Sequence, residues 1–587
     1  MKGRYACEEV FIFGLWGAMT RPYDLGLEGL LRDMRRLSMN CLVHGPRVDE
    51  GAEGLARAKQ EIALCHRYGM FVIPVSCLNG ESRPRGSDIS KLLRPVAEAL
   101  KDEPSILGWY ILDEPPPEFL PEFLECQAAL AEVAPRQPAL CLFYRPDAAA
   151  DFAPHQPLLL TDCYPLAYWH GGTSLGPHFA IRLDTGYRSG LKLSREMGQF
   201  NLWGNRGILE WMDLCRVHSG GRPHWITLQV FESGDGDRVR WRGPTVAEIR
   251  LQTYLAVAGG AKGINYFHYG HLTDAYGNPK PAFHGEQTPL LEEIGRLGAE
   301  LTPLGPLLLE AEVAEPFTVI ASLRPTPDPG TRVEVRHLHS RMRDVDYLVV
   351  FNNDPLLRST AQINLSRSFL HGRHIYDLHD LQAVTTEELP GAVAFPVTLE
   401  PGGGRIFSVA SEADSLSDAR TILLGRCRNE AGVLDIDYEL AENSQVDLER
   451  VRPLRAQYQE RRAAGEYAEA LSLIRQCSRA LGAAMKQSGE FWAVKQDLEY
   501  IRRTLGRLGG EPRQFEERLS KAYRGLLGLF WEGQASLIRV EVEQLRGLVE
   551  QVDATAVVGA QAVVQLRVEE EVLRAVEQRA QQYLPKE

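Results

Sequence analysis

The run Ile106-Leu107-Gly108-Trp109-Tyr110-Ile111-Leu112 ends abruptly at Asp113-Glu114-Pro115. Apolar side chains at successive positions leave neither face for water, which is how a strand covered on both sides reads. The proline cannot continue a ladder, so the strand stops there. Amphipathic helical stretches flank it, Ile89–Lys101 before and Glu118–Ala134 after. The same alternation extends both ways. Upstream lie strands Val10–Gly14, Asn40–His44 and Met70–Val75, separated by helical Leu25–Leu37 and Glu53–Tyr68. Downstream lie Ala139–Phe143, Leu158–Asp162, Trp225–Phe231 and Gly263–Phe267. Eight such strand–helix units in about 300 residues predict an α/β fold of the (β/α)8 TIM-barrel type over residues 1–308. A doubly wound open sheet would place a glycine-rich phosphate turn after its first strand. Phe13-Gly14-Leu15-Trp16-Gly17 is no such turn.

The texture changes after Pro303 and Pro306. Short runs at Phe317–Leu323, Arg332–Leu338, Tyr347–Asn352, Ala361–Leu365, His374–Asp377 and Arg405–Val409 are separated by Pro/Gly turns. They predict a small antiparallel β-sandwich over 309–412. The remainder, 413–587, is rich in Ala, Leu, Glu, Arg and Gln and predicts a helical bundle or hairpin array. Its helical runs cover about 446–464, 466–482, 487–507, 513–533 and 535–583, punctuated by Gly465, Gly482, Gly509 and Gly510. Helices without acids at strand ends are expected to cover the barrel or to mediate self-association into a homo-oligomer.

The 587 residues carry a formal net charge of -13 and no Lys/Arg-rich run, which argues against a nucleic-acid partner. No stretch of about 18 apolar residues occurs, so no membrane span is expected. The N-terminus lacks the apolar core and cleavage site of a signal peptide. Ten cysteines without a CxxC pair fit a reduced, cytoplasmic chain, with Cys41, Cys77, Cys141 and Cys163 as small buried hydrophobes. A leader trimmed from the chain would redirect it to secretion.

Reactive groups of a (β/α)8 barrel gather at the C-terminal ends of the strands. Strand four presents Asp113 and Glu114, strand six Asp162 with Tyr164, and strand seven Gln229 with Glu232 one position beyond. Strand one adds Trp16, strand two His44 and Arg47, strand five Tyr144 and strand eight His268; Trp169 follows strand six. Aromatic rings stack on the apolar faces of sugars, and carboxylates bond hydroxyls. Cleaving a glycosidic bond needs two carboxyl groups facing it, one protonated and one ionised. Adjacent acids raise each other's pKa, as a general acid near neutral pH requires. The pairs His337/His339 and His371/His374 read as a solvated strand face of the sandwich, so no metal and no cofactor is expected.

With these residues in view, the barrel resembles a clan A glycoside hydrolase, the retaining superfamily that contains the β-galactosidases. Asp113-Glu114-Pro115 stands where that family has an Asn-Glu-Pro-like acid/base motif, and Glu232 where it has a nucleophile after strand seven. Leu251–Ala256 with Gly259–Gly263, and Leu399–Arg405, resemble the seventh helix, the eighth strand and the closing sandwich strand of such enzymes. The resemblance implies a carbohydrate substrate, Glu114 as acid/base and Glu232 as nucleophile. On position alone, substrate contacts are expected from Trp16, His44, Arg47, Asp113, Tyr144, Asp162, Tyr164, Trp169, Gln229 and His268. Asp113 replaces the family's Asn and, when ionised, can only accept hydrogen bonds. Two alternatives stand beside this reading. Asp162 could serve as the second carboxylate, since it too ends a strand. The chain could also be a catalytically silent carbohydrate-binding or scaffolding protein.

Overall fold

The computed structural model describes residues 5–16, 26–48, 51–76, 89–144, 146–166, 207–235, 238–241, 243–274, 276–280, 288–314, 333–508, 513–558, 573–576 and 578. The chain divides into two compact units. One comprises Met1–Thr20, Arg36–Leu272 and Lys280–Gly425; the other comprises Arg21–Arg35, Thr273–Pro279 and Arg426–Glu587.

The first unit holds a closed barrel of eight parallel strands: β1 (Ile12–Trp16), β2 (Cys41–Val48), β3 (Phe71–Ser76), β4 (Trp109–Asp113), β5 (Ala139–Phe143), β6 (Leu159–Cys163), β7 (His224–Gln229) and β8 (Gly263–Phe267). Each expected strand is present, in the ring order β1-β8-β7-β6-β5-β4-β3-β2. The described helices that follow the strands in sequence include α1 (Gly26–Arg36), which up to Arg35 belongs to the second unit, α2 (Gly51–Arg67), α3 (Ile89–Leu100), α4 (Leu120–Val133), α5 (Pro146–Phe152), α6 (Gly207–His218), α7 (Val246–Ala258) and α8 (Leu290–Leu301). Alternate strand residues fill the interior. Ile12, Cys41, Val43, Ile73, Tyr110, Leu140, Leu160 and Trp225 form one buried cluster, joined by Cys7 from the turn preceding β1. The nine described cysteines are buried and unbridged.

Helix α7 opens with a capping box. The Thr245 side chain accepts from the Glu248 backbone N–H, and the Glu248 carboxylate accepts from that of Thr245. Glu248 is itself fully buried, and α7 exposes almost nothing along its length. Its outer side is covered by the sandwich. Six strands, β9 (Ala311–Val313), β10 (Val333–Ser340), β11 (Asp346–Asn352), β13 (His374–Asp377), β14 (Gln382–Ala383) and β17 (Gly404–Ala410), pair in the order β9-β10-β11-β17-β13-β14. A second sheet runs β12-β16-β15, with β12 (Ser359–Ser366), β15 (Glu387–Leu389) and β16 (Ala392–Leu399). Leu348, Val350, Ile363, Phe395 and Phe407 share the core between them. The expected strand Phe317–Leu323 lies outside the described residues.

The glycine turn Gly402-Gly403-Gly404 is what lets the sandwich lie against α7. Gly402 has φ +66°, and a Cβ there would overlap the Ala247 carbonyl. A Cβ on Gly404 would run into the Tyr254 ring. Arg250 donates to the Pro401 carbonyl at 3.0 Å. Tyr254 donates to Glu300, which also pairs with His379 at 2.9 Å.

Among the described residues, the helices that follow are α9 (Glu412–Asn443), α10 (Arg452–Ala463), α11 (Tyr467–Gln487), α12 (Gly489–Leu508), α13 (Arg513–Trp531) and α14 (Ala535–Val558). Gly482, expected to break a helix, instead sits inside α11. The second unit has its own core, which includes Leu471, Ile474, Ile501, Leu505, Leu526, Ile538 and Leu545. Segment Thr273–Pro279 is bound into it by Tyr276 to Ser520 at 2.6 Å and Asn278 to the Arg502 carbonyl at 3.0 Å. Among the described residues, no helix is long and apolar enough to cross a membrane.

Candidate functional site

Asp113 is the last residue of β4 and Glu114 is the first beyond it; both are exposed. Glu114 stands at φ +45°, a region L-residues avoid at a cost of order 1 kcal/mol. Its backbone N–H is held by the Leu142 carbonyl of β5 at 3.1 Å. Just inside, Tyr110 points into the barrel and donates to Asp113 Oδ1 at 2.5 Å. Burial first, and then the Asp113 carboxylate, push the Tyr110 phenol well above its ordinary pKa, so it acts as a fixed donor.

An aromatic wall adjoins this pair. Trp16 stacks on His44 with centroids 5.6 Å apart and planes 15° from parallel. Tyr110 meets both rings edge-on, with centroids 5.0 Å away in each case. His44, like Glu114, is held at positive φ, here +63°. A second wall joins Tyr164, Phe231 and Phe267: Tyr164 and Phe231 lie 4.8 Å apart, and Phe231 and Phe267 5.6 Å apart. His268 packs against His271 at 4.3 Å.

Asp162 of β6 is the acid this arrangement buries, at 2% exposure. Its carboxyl is held well above the ordinary range, first by burial and then by the negative charges of Glu114 and Asp113; a hydrogen bond from Tyr164 opposes them. Tyr164 feels the same three acids and is itself raised, chiefly by burial. Strands four and six therefore bring three acids and two phenols within electrostatic reach of one another.

The other expected residues fare differently. Glu232 is exposed one residue past Phe231. Gln229 is fully buried, and the structure gives it a structural task. Its amide accepts from the Leu166 N–H at 2.9 Å and donates to the Phe231 carbonyl at 3.2 Å. Helix α7 fixes the same strand end, because Gln252 accepts from the Gln229 N–H and donates to its carbonyl, each at 3.2 Å. Tyr144 is half-buried after β5. The Arg47 side chain and all of Trp169 lie outside the described residues. His337 and His339 both bind Asp346, at 2.7 and 2.8 Å. Among the described residues, no group of three or more His, Cys, Asp or Glu could hold a metal ion.

Residue-by-residue reading missed Tyr110, Phe231 and Phe267. Tyr110 carried a signal, since it lies three positions before Asp113 on a strand whose alternate residues must face inward.

No family model matches the chain, and no curated protein matches it in sequence. Among solved structures it is similar to one described as "Glycoside hydrolase", at 14% identity and TM-score 0.41, over 69% of this chain and 93% of that one. It is also similar to a β-galactosidase from the psychrophilic Marinomonas ef1, at 11% identity and TM-score 0.35, over 50% of this chain and 61% of that one. A third is the Nostoc punctiforme debranching enzyme, at 13% identity and TM-score 0.38, over 69% of this chain and the whole, 100%, of that one.

Proposed function

We propose that the chain is a glycoside hydrolase whose reacting carboxyl groups are Glu114 on strand four and Asp162 on strand six. The observation that carries this reading is the coupling of buried Asp162 to Glu114 and Asp113 within an aromatic mouth. An acid that keeps its proton beside an acid open to solvent is the division of labour that glycosidic cleavage requires. Asp162 donates its proton to the departing oxygen. Glu114 acts at the anomeric carbon, directly or through water. Tyr110 keeps Asp113 oriented to accept a sugar hydroxyl, and Trp16 with His44 offers a ring face for stacking.

This reading replaces the strand-seven acid of the family resemblance with the strand-six acid, because Asp162 is buried within reach of the charges of Glu114 and Asp113 whereas Glu232 is exposed. A panel of 4-nitrophenyl glycosides, assayed with wild type, Glu114→Gln, Asp162→Asn and Glu232→Gln, tests it. Loss of turnover by about 10²–10⁴ in the first two variants, with Glu232→Gln active, is expected. An inactive Glu232→Gln beside an active Asp162→Asn would restore the strand-seven pair. Product stereochemistry followed by proton NMR then separates direct attack from attack through water.

A further inference from the structure

Three neighbouring barrel strands carry a polar residue at one level of the inner wall. Asp162 of β6 lies in register with Thr227 of β7, and Thr227 with Asn265 of β8. Strand alternation turns all three inward. Leu160 and Trp225, two positions earlier on β6 and β7, belong to the apolar barrel core. On β8 a Cβ at Gly263, two positions before Asn265, would meet Ile12 and Trp225 of that same core. At about 4.8 Å per strand, the row spans about 10 Å directly above the apolar layer.

Barrel interiors are normally filled by branched apolar side chains, and a buried amide without partners destabilises the fold. Asn265 is 1% exposed, and neither its oxygen nor its nitrogen finds a hydrogen-bond partner among the described residues. Asp162 Oδ1 is likewise buried and unpartnered among the described residues. Two unmet polar groups, on β6 and β8 with β7 between them, form a floor suited to hydrogen-bond donors and acceptors. Neighbouring hydroxyls of a sugar ring supply both.

We infer that Asn265, across Thr227 from Asp162, is a specificity-determining residue at the floor of the barrel mouth, binding a ring hydroxyl of the sugar whose linkage is cleaved. The inference rests on the glycosidase reading above and adds the residue that selects among sugars.

The test uses the full chain as wild type, Asn265→Leu and Asn265→Ser, with 4-nitrophenyl glycosides, their monodeoxy analogues and free monosaccharides. Leu keeps the branching and heavy-atom count of Asn, with bulkier methyl ends, and removes both unpaired polar atoms, so the melting temperature holds or rises. Its kcat/KM falls about tenfold or more, because a site built to bond a hydroxyl is left without its partner. Deleting the matching hydroxyl costs wild type a similar factor and costs Asn265→Leu almost nothing, as coupled groups behave in a double-mutant cycle. Asn265→Ser shows the same confinement to one hydroxyl if Leu disturbs packing. Wild-type turnover matched within twofold by both variants overturns the inference and leaves the hydrolase reading standing. So does a monodeoxy series that loses equally in variant and wild type. A wild type that cleaves no glycoside and, by calorimetry, binds no monosaccharide overturns both.

Discussion

Replacing Asp162 with Asn tests the acid role proposed for it separately from its effect on the fold. Asn keeps the shape and still accepts from Tyr164, but it has no proton to titrate. In the native protein the Asp162 carboxyl is held well above its ordinary pKa by burial, Glu114 and Asp113; unfolded, it returns to about 3.9. Below that value both states hold the proton and the residue adds no pH dependence. Above it the unfolded chain releases the proton while the folded protein retains it. Stability then falls with rising pH by about 1.4 kcal/mol per unit, until the folded carboxyl also ionises. The variant escapes this fall. Wild type and Asp162→Asn should therefore melt alike near pH 4, and the variant should gain on wild type through pH 5 and 6 before the gap levels off. For a unit of this size, the gap should widen by about 1–2 °C per pH unit in differential scanning calorimetry. The same protein should hydrolyse aryl glycosides about 10²–10⁴ times more slowly. Superimposed melting profiles from pH 4 to 7 would refute the claim that Asp162 is a proton-holding acid. A stability gap without a loss of activity would remove it from the reaction.

Three other outcomes follow from geometry already described. Tyr110→Phe deletes the donor to Asp113, and the loss of a hydrogen bond to a charged group lowers kcat/KM by about tenfold with little change in melting temperature. An unchanged rate would show that Asp113 needs no orienting. Gly402→Ala places a Cβ on the Ala247 carbonyl at a positive φ, and should destabilise the barrel–sandwich unit by more than about 1 kcal/mol in urea melts. At His379, burial lowers the pKa, but hydrogen bonds to Asp377 and Glu300 outweigh it and the net shift is upward. That stabilisation is present below the unfolded value of about 6.5 and is lost as pH rises through the folded one. The melting gap between wild type and His379→Gln should shrink between pH 6 and 9, and a constant gap would rule out the linkage.

The barrel was legible because parallel strands covered on both faces write themselves as apolar runs, and all eight stand where those runs lie. Strand β16 was not, because Pro396 interrupts Ala392–Leu399 and argues against a strand paired on both sides. The alternating burial of Val393, Phe395, Val397 and Leu399 was the competing signal. Helix α9 lies outside the helical runs read from sequence, and its glycines serve close packing: a Cβ on Gly425 would collide with Pro303 and one on Gly432 with the Arg35 guanidinium. At the site, sequence located the acids at or just beyond their strand ends and set Glu232 ahead of Asp162 as the second carboxylate, an order the proposal above reverses. That ranking depends on which carboxyl the closed barrel withdraws from water, a property of three strands together.

Helix α7 carries a consequence for anyone dissecting the chain. One side of it grips the rim of strand seven through Gln252, and the other is pressed beneath the glycine turn of the sandwich. Severing the polypeptide between barrel and sandwich would bare Leu251 and Tyr254 to solvent and loosen that grip. The smallest piece able to keep the mouth in shape is thus the pair of β-architectures together, and a trimmed barrel should be recovered as aggregate.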